Sequence, residues 1–309
     1  RRSRSRDGVL MRALRKIASR AKPAGARIKS SLPRYFLLLL TGDRLLLKKG
    51  GRLILQNPPP AFSYEAETTA LLARFSVQPD ETRALLINAL IASLKTAGVW
   101  SKLDAFYVMA AHDAQAAQRN WIQNAYNLSA VSSPTFTTDR GYAGNGSSSY
   151  LDTGFNPVTA PTPKFVQNSA SFGAWSRTSG QSSASVAGWF DGSDGLTLLP
   201  RSTADFVQGR INQASSTTYS ANTDGAGLYA LNRSGVSATQ AYRNGAAWGT
   251  GSVASAALNS APFTFGHVTA ASYSAMQFSS GFIGSSLTAG EHAALYAALH
   301  TYLTAVGAA

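Results

Sequence analysis

The chain has 309 residues, of which 44% are apolar and 10% aromatic, so it is long enough to bury more than one hydrophobic core. It has no cysteine, which excludes disulfide frameworks, thiol catalysis and cysteine-ligated metal centres. The net charge of +13 is uneven, because residues 1–60 hold 16 basic and two acidic side chains, whereas the rest of the chain holds 12 basic and 13 acidic ones. This asymmetry predicts an N-terminal segment that attaches to phosphate, an anionic surface or an acidic protein.

Residues 1–34 combine many basic side chains with apolar residues at helical spacing. Leu10, Leu14, Ile17 and Ala21 recur on one face, which predicts a basic amphipathic helix of about three turns. Such a segment is either a solvated arm or a contact for nucleic acid, an acidic protein surface or a membrane surface. Its candidate anchoring residues are Arg12, Arg15, Lys16 and Arg20.

Residues 35–56 hold three leucine-rich runs separated by turn residues, which predicts a short β-meander. The runs do not alternate with period two, so both faces need cover that three short strands cannot provide. We therefore expect these residues to assemble with other chains, as a homo-oligomer or within a larger particle. The longest aliphatic and aromatic run, residues 35–40, is too short for a membrane span of about 20 residues or a secretory h-region of about 7–15. The assembly candidates are Phe36, Leu38, Leu40, Leu45, Leu47, Leu53 and Leu55.

The residues after position 60 are expected to form two further parts. A proline spacer precedes a helical linker module, residues 61–130, and residues 131–309 then become rich in Ser, Thr, Gly and Asn. In the module we predict helices over 68–75, from Asp80 to Gly98 and over 113–121, with a strand over 103–109. In the C-terminal part, short strands between Asp-Gly and Asn-Gly turns predict an antiparallel sandwich. The predicted strands are 171–177, 185–190, 196–200, 206–211, 228–232, 239–244 and 263–268, followed by a helix capped by Thr288 and Glu291.

Several motifs carry a family resemblance. The segments 227–233, Ala241-Tyr-Arg-Asn-Gly245 and 281–287 resemble the second half of concanavalin A-like (laminin-G-like) jelly rolls. The segments 139–146 and 150–157 resemble the opening of such domains in virion proteins of tailed bacteriophages. The resemblance covers about residues 65–309. It implies a mainly β fold with a C-terminal jelly-roll β-sandwich and a terminal helix, preceded by a small helical module. The basic helix and the β-meander before that module are predicted from the sequence pattern alone, because residues 1–60 match no named family.

The sequence argues against catalysis and gives little support to a metal site. Glycosidases on this fold use Glu-x-Asp-x-Glu, which is absent here, and the sequence offers no catalytic residue or cofactor motif. His292 and His300 are eight residues apart on the predicted helix, too far to share an ion. His112 next to Asp113 is interpreted as a helix-start pair, and His267 as a core or rim residue. Calcium at Asp191-Gly-Ser-Asp-Gly195 is a lesser alternative, since the EF-hand spacing is missing.

Aromatic residues make glycan binding plausible. The candidate glycan-binding residues are Trp248, Tyr219 and Tyr242, and Trp248 is expected to be the best exposed because it lies in the glycine-rich run 245–251. Trp175 and Trp189 are expected to fill the sandwich core.

The favoured hypothesis is a non-enzymatic structural component of a tailed-phage virion, assembled in the host cytoplasm. It would be anchored by residues 1–60 among other virion proteins and display its jelly roll at a tail tip, fibre or capsid surface. The alternatives are a host-recognition protein that binds surface glycans, and a basic arm, residues 1–34, that contacts packaged nucleic acid.

Overall fold

The computed structural model describes residues 63–190, 194–269 and 272–309, together with the backbone of three strands nearer the N-terminus. The chain divides into two units, Arg1–Ser63 and Tyr64–Ala309. In the first unit, β1 (Leu37–Leu38), β2 (Arg44–Leu47) and β3 (Leu53–Leu55) form an antiparallel sheet in that order. Leu45 pairs with Leu37 on one side and with Leu55 on the other. These strands confirm the predicted meander, whereas the predicted basic helix and its residues Arg12, Arg15, Lys16 and Arg20 lie outside the described residues, as do Phe36 and Leu40.

The second unit is a sandwich of two antiparallel sheets with four α-helices, which confirms the mainly β fold. Its strands are β4 (Leu103–Val108), β5 (Ser129–Val131), β6 (Thr135–Thr137), β7 (Gly141–Ala143), β8 (Tyr150–Asp152), β9 (Ala170–Ser176), β10 (Ala187–Phe190), β11 (Gly195–Leu199), β12 (Phe206–Gln213), β13 (Thr217–Ala221), β14 (Gly227–Arg233), β15 (Thr239–Arg243), β16 (Ala246–Gly251), β17 (Thr264–Phe265), β18 (His267–Thr269), β19 (Ser272–Tyr273) and β20 (Gln277–Gly284). Its helices are α1 (Ala66–Leu72), α2 (Glu81–Thr96), α3 (Ala114–Ala117) and α4 (Ala289–Ala305), with a 3₁₀ turn at Trp100–Lys102.

The two large sheets have the interleaved strand order of a jelly roll. One sheet has the order β13-β12-β11-β10-β17-β8-β5. The other has the order β16-β15-β14-β9-β20-β7-β6, and β4 pairs with β20 beside β7. The predicted strand over 263–268 is divided into β17 and β18 by Gly266, which has a φ of +81°. The strands β18 and β19 form a separate two-stranded ribbon.

Aromatic rings fill the space between the sheets. Phe172 from β9 meets Phe263 edge-on at 5.6 Å between ring centroids, and Phe263 meets Trp189 at 6.3 Å. Gly281 is required in β20, because a Cβ there would lie 2.2 Å from the ring of Phe265. Trp189 is therefore a core residue, as predicted.

The helix α2 begins and ends where the sequence predicts, and α4 begins at its predicted cap. Asp80 accepts a hydrogen bond from the Arg83 amide at 2.7 Å, and Gly98, with a φ of +73°, follows the end of α2. A capping box joins Thr288 and Glu291 at the start of α4. Both helices bury an apolar stripe, which comprises Ile87, Leu90, Ile91 and Leu94 in α2 and Leu295, Leu299 and Leu303 in α4.

The helical residues and the sandwich belong to one unit, because they share a core. The predicted strand at 103–109 is confirmed as β4, which is fully buried and pairs with β20. Arg83 of α2 forms an ion pair with Asp139 at 2.7 Å and donates to the Tyr302 hydroxyl of α4 at 3.2 Å. Residues 64–130 thus add a strand to one sheet of the sandwich and pack against α4.

Trp175 is buried outside the space between the sheets, which corrects the sequence expectation. It is 4% exposed, and its ring stacks on Tyr296 of α4 with an interplanar angle of 6°. Phe172 points to the sandwich interior, and residues an odd number of positions apart on a strand point to opposite faces. Trp175 therefore packs between β9 and α4.

Candidate functional site

A groove of about 500 Å³ lies between strands β14–β16 and the start of α4. Its volume is within the range of about 300–1,000 Å³ that is typical of small-molecule sites. It is lined by Lys102, Asn232, Ser234, Ala238, Thr239, Gln240, Tyr242, Thr250, Gly251, Ser286, Leu287 and Thr288.

A two-residue hairpin places one wall of the groove against α4. Asn244 and Gly245 connect β15 to β16 with φ values of 50° and 76°, the backbone that Asn-Gly favours in tight hairpins. A Cβ at Gly245 would lie 2.9 Å from the Ala293 Cα atom of α4. The predicted Asn-Gly turn is confirmed, and the close approach explains why glycine is needed there.

The groove is close to electrically neutral. Tyr242 stacks on His292 at 3.7 Å between ring centroids, and burial raises the pKa of Tyr242 and lowers that of His292 to about 3. Both rings are therefore uncharged at neutral pH. Among the described lining residues, Lys102 carries the only charge, and its ammonium group lies 2.7 Å from the Glu291 carboxylate.

The lining offers hydrogen bonds of both senses. Asn232 Oδ1 accepts from the Leu287 amide at 2.8 Å, and Gln240 Nε2 donates to the Gly249 carbonyl at 2.6 Å. Asn232 Nδ2 and Gln240 Oε1 make no hydrogen bond within the described residues, so each amide keeps one group for another partner. The hydroxyl groups of Ser234 and Thr250 lie in the same lining.

The structure does not bring the three predicted glycan residues together. Tyr242 lines the groove, but it is only 7% exposed. Neighbouring Arg243 points to the opposite face of β15, where its guanidinium lies 5.3 Å from the Trp248 ring centroid. Tyr219 lies next to β16, the strand that holds Trp248, because a Cβ at Gly249 of that strand would lie 2.6 Å from the Tyr219 carbonyl oxygen.

Trp248 is not the exposed residue that the sequence suggests. Residues 246–251 form β16, an edge strand, rather than a loose glycine-rich loop. The Trp248 side chain is half-buried against the core, and its indole nitrogen is buried without a hydrogen-bond partner within the described residues. Its use as a flat sugar platform therefore remains a prediction that the packing does not favour.

Sequence reasoning missed most of the groove. Gln240 and Tyr242 share a face through the two-residue period of a strand, which is a signal that the sequence contains. Lys102, Asn232 and Thr288 are far apart in the chain and meet because β14 pairs with β15 and α4 folds back over the sheet.

The acidic residues of the described chain are largely engaged in structural contacts. Asp139, Asp205 and Asp224 form ion pairs with arginines, and Asp113 caps α3 next to His112, as predicted for that pair. Buried Asp104 has a pKa raised by desolvation, but its two oxygens accept from the backbone amides of Lys164 and Phe165, each at 2.8 Å. This carboxyl therefore anchors a loop.

The described residues hold neither a metal-binding cluster nor a helix that could span a membrane. No group of three His, Asp or Glu side chains there is arranged to hold a metal ion. Residues 191–193 of the possible calcium turn lie outside the described part of the chain. No described helix is both long and apolar enough to cross a membrane. His267 is a half-buried rim residue that stacks on Tyr150 at 4.6 Å.

Comparison with known proteins gives likenesses of structure only. No protein-family profile and no curated protein sequence matches the chain. Domain 4 of AbnA, an extracellular GH43 arabinanase from Geobacillus stearothermophilus solved with arabinotriose, is 13% identical with a TM-score of 0.43, over 63% of this chain and 98% of that one. Trypanosoma rangeli sialidase with 2,3-difluorosialic acid is 12% identical with a TM-score of 0.49, over 71% and 40%. The binding domain of botulinum neurotoxin serotype D is 12% identical with a TM-score of 0.46, over 65% and 52%.

These likenesses are too distant to assign a function. The chain spans less than two thirds of the sialidase and of the neurotoxin domain. The β-sandwich is instead established by the strand order of the chain itself.

Proposed function

We propose that the unit Tyr64–Ala309 is a non-enzymatic domain that binds carbohydrate in the groove beside Tyr242. The observation that carries this proposal is the lining itself, in which uncharged amides and hydroxyls surround one aromatic ring. A saccharide presents many hydroxyl groups, which both donate and accept, and the free groups of Asn232 and Gln240 match that need.

The absence of catalysis is part of the same proposal. Glycoside hydrolysis needs two carboxyl groups on either side of the scissile bond. Glu291 lies beside the groove residues Lys102 and Thr288, but its carboxylate bonds to Lys102 and caps α4. No Asp or Glu occurs among the described lining residues, which supports binding without hydrolysis.

A bulky residue placed in the groove tests this proposal. Thr250 is exposed on β16 and lines the groove, so Thr250→Trp is expected to fill it without disturbing the core. We expect the full-length chain to bind at least one saccharide on a glycan array, and Thr250→Trp to lose that binding at least tenfold.

The matched control is Thr218→Trp, at an exposed position on the other edge strand, β13. It should bind as the unaltered chain does. Equal binding by all three proteins would place the saccharide elsewhere and contradict the groove assignment, and no binding on the array would contradict carbohydrate recognition.

We further propose that residues 1–60 attach this domain to a larger assembly, with the virion of a tailed phage as the favoured case. The net charge of residues 1–60 and the leucine-rich strands β1–β3 support attachment, and the sequence resemblance to virion proteins supports the setting. Binding of a host-surface glycan would then make the protein a recognition component of the particle.

Paired substitutions in the meander test the attachment. Leu45 and Leu55 are register partners, and Leu45→Asp with Leu55→Asp introduces charge where we expect contact between chains. Sedimentation should show an oligomer for the unaltered chain and for a Thr218→Asp control, and a monomer for the double variant. The double variant should also fail to join particles. Normal oligomerisation and incorporation of the double variant would contradict the anchor role, and DNA binding by the unaltered chain would support the nucleic-acid alternative.

A further inference from the structure

A second pocket, of about 270 Å³, lies where β9, the β15–β16 hairpin and α4 meet. Three aromatic rings form its wall. Trp175 stacks on Tyr296 at 5.6 Å, and His300 lies 5.3 Å from Tyr296 and 6.1 Å from Trp175. His300 is exposed and makes no hydrogen bond within the described residues, so its ring faces are available to a bound molecule.

The polar groups of this pocket are mainly donors. Arg177 Nε donates a hydrogen bond to Gln277 Oε1 at 3.2 Å, and its Nη1 donates to the Ala308 carbonyl. The Nη2 atom has no hydrogen-bond partner in the described chain. Asn244 Oδ1 accepts from the Leu228 amide at 2.9 Å, and its Nδ2 makes no hydrogen bond within the described residues. A Cβ at Gly227 would lie 2.5 Å from that Oδ1 atom, so glycine at this position leaves room for the Asn244 side chain.

Two arginines without an ion-pair partner in the described part of the chain lie in or beside the pocket. Within the described residues, neither Arg177 nor nearby Arg140 forms an ion pair, in contrast to Arg83, Arg201 and Arg243. Burial and the charge of Arg140 lower the pKa of Arg177, which is the response of a guanidinium without a compensating carboxylate. No Asp or Glu lines the pocket among the described residues.

We propose that this pocket binds an acidic sugar, with the carboxylate held by Arg177 and Asn244 and the sugar ring against Tyr296 and His300. A guanidinium binds carboxylates with directed, charge-assisted hydrogen bonds, and aromatic side chains offer an apolar face to the ring. The proposal rests on the proposed function in taking saccharides as the ligands, but it concerns a site separate from the groove.

Titration of the full-length chain with three probes tests the proposal. Glucuronic acid carries both features, glucose has the ring without the carboxylate, and acetate has the carboxylate without the ring. We expect glucuronic acid to bind at least tenfold more tightly than either, since a hydrogen bond to a charged group contributes about one tenfold step or more. Its affinity should also fall as salt increases. Glucose binding as tightly as glucuronic acid would overturn the role of Arg177, and equal binding of acetate would reduce the site to a simple anion site.

Two variants locate the site. His300→Ala removes an exposed ring that makes no hydrogen bond within the described residues. Arg177→Gln removes the positive charge of the guanidinium. Each variant should lower the affinity for glucuronic acid at least tenfold. Arg119→Gln, which removes an arginine outside the pocket, should leave that affinity unchanged. Unchanged affinity in both variants would overturn the proposal.

Thr250→Trp separates the two proposals. It should leave glucuronic acid binding intact while it abolishes array binding through the groove. Loss of both activities in this variant would overturn the separateness of the pocket, and loss of array binding alone would leave both proposals supported.

Discussion

Replacing Arg233 by methionine is expected to lower the free energy of unfolding by about 3 kcal/mol or more, because it leaves several buried acceptors without a donor. Arg233 is 0% exposed and lies at the end of β14. Its Nε donates to the Ile211 carbonyl at 2.7 Å, and its Nη2 donates to Gln213 Oε1 at 2.9 Å.

The contacts of Arg233 join the two sheets. Ile211 and Gln213 belong to β12 in one sheet, whereas Arg233 belongs to β14 in the other. Its Nη1 also donates to the carbonyls of Val236 at 2.8 Å and of Val253 at 3.1 Å, which fixes two loops at the same end. No carboxylate is among these partners, and burial lowers the pKa of Arg233. A guanidinium suits this position because it supplies five donors in a fixed geometry.

Urea denaturation of the full-length chain measures this effect. Arg233→Lys should fall between the unaltered chain and Arg233→Met, since an ammonium group satisfies fewer of the acceptors. The control is Arg201→Met, which removes a partly exposed i,i+4 ion pair with Asp205 and should cost less than about 1 kcal/mol. A loss below about 1 kcal/mol for Arg233→Met would show that the acceptors find other partners.

Replacing His292 by phenylalanine is expected to make the protein less sensitive to acid. The folded-state pKa of His292 is about 3, below the ordinary value of 6.5, because the ring is 1% exposed and stacked on Tyr242. The unfolded chain therefore takes up a proton below pH 6.5 while the folded chain does not, and stability falls as the pH is lowered. The neighbouring Glu291 carboxylate opposes this shift but is outweighed by burial.

The size of the effect follows from the pH interval. Each pH unit in this window costs up to about 1.4 kcal/mol for one group, so the loss between pH 6.5 and 5 is about 2 kcal/mol. His292 Nε2 is buried without a partner among the described residues, so phenylalanine loses no hydrogen bond to them at that atom. The difference in unfolding free energy between His292→Phe and the unaltered chain should therefore grow by about 2 kcal/mol over this interval.

Equilibrium unfolding at several pH values checks this prediction, and the difference cancels every group that the two proteins share. His300→Phe is the control, because His300 is exposed on the same helix. It should parallel the unaltered chain. Parallel curves for His292→Phe as well would mean that His292 is protonated in the folded state.

Elements whose causes are local could be predicted from the sequence. The Thr288–Glu291 capping box, the Asp80 start of α2 and the Asn244–Gly245 hairpin each depend on residues within a few positions, so their residue types predicted them. The antiparallel sandwich followed from regularly spaced short strands. The uneven charge needed no structure at all, although the anchor role inferred from it remains a prediction.

Which side chains share a site could not be predicted in this way, because it depends on contacts between distant parts of the chain. Trp175 lies under α4, whereas Trp189 lies between the sheets. The sequence does not distinguish these two locations, because burial stabilises an aromatic ring about equally in either one. The glycine-rich run around Trp248 predicts an exposed loop, but these residues form β16, which pairs with β15. The groove joins Lys102, Asn232 and Thr288, and the second pocket joins Arg177 to His300. The proximity of these residues depends on which strands pair and where α4 packs. Such long-range contacts leave no periodic signal in the sequence.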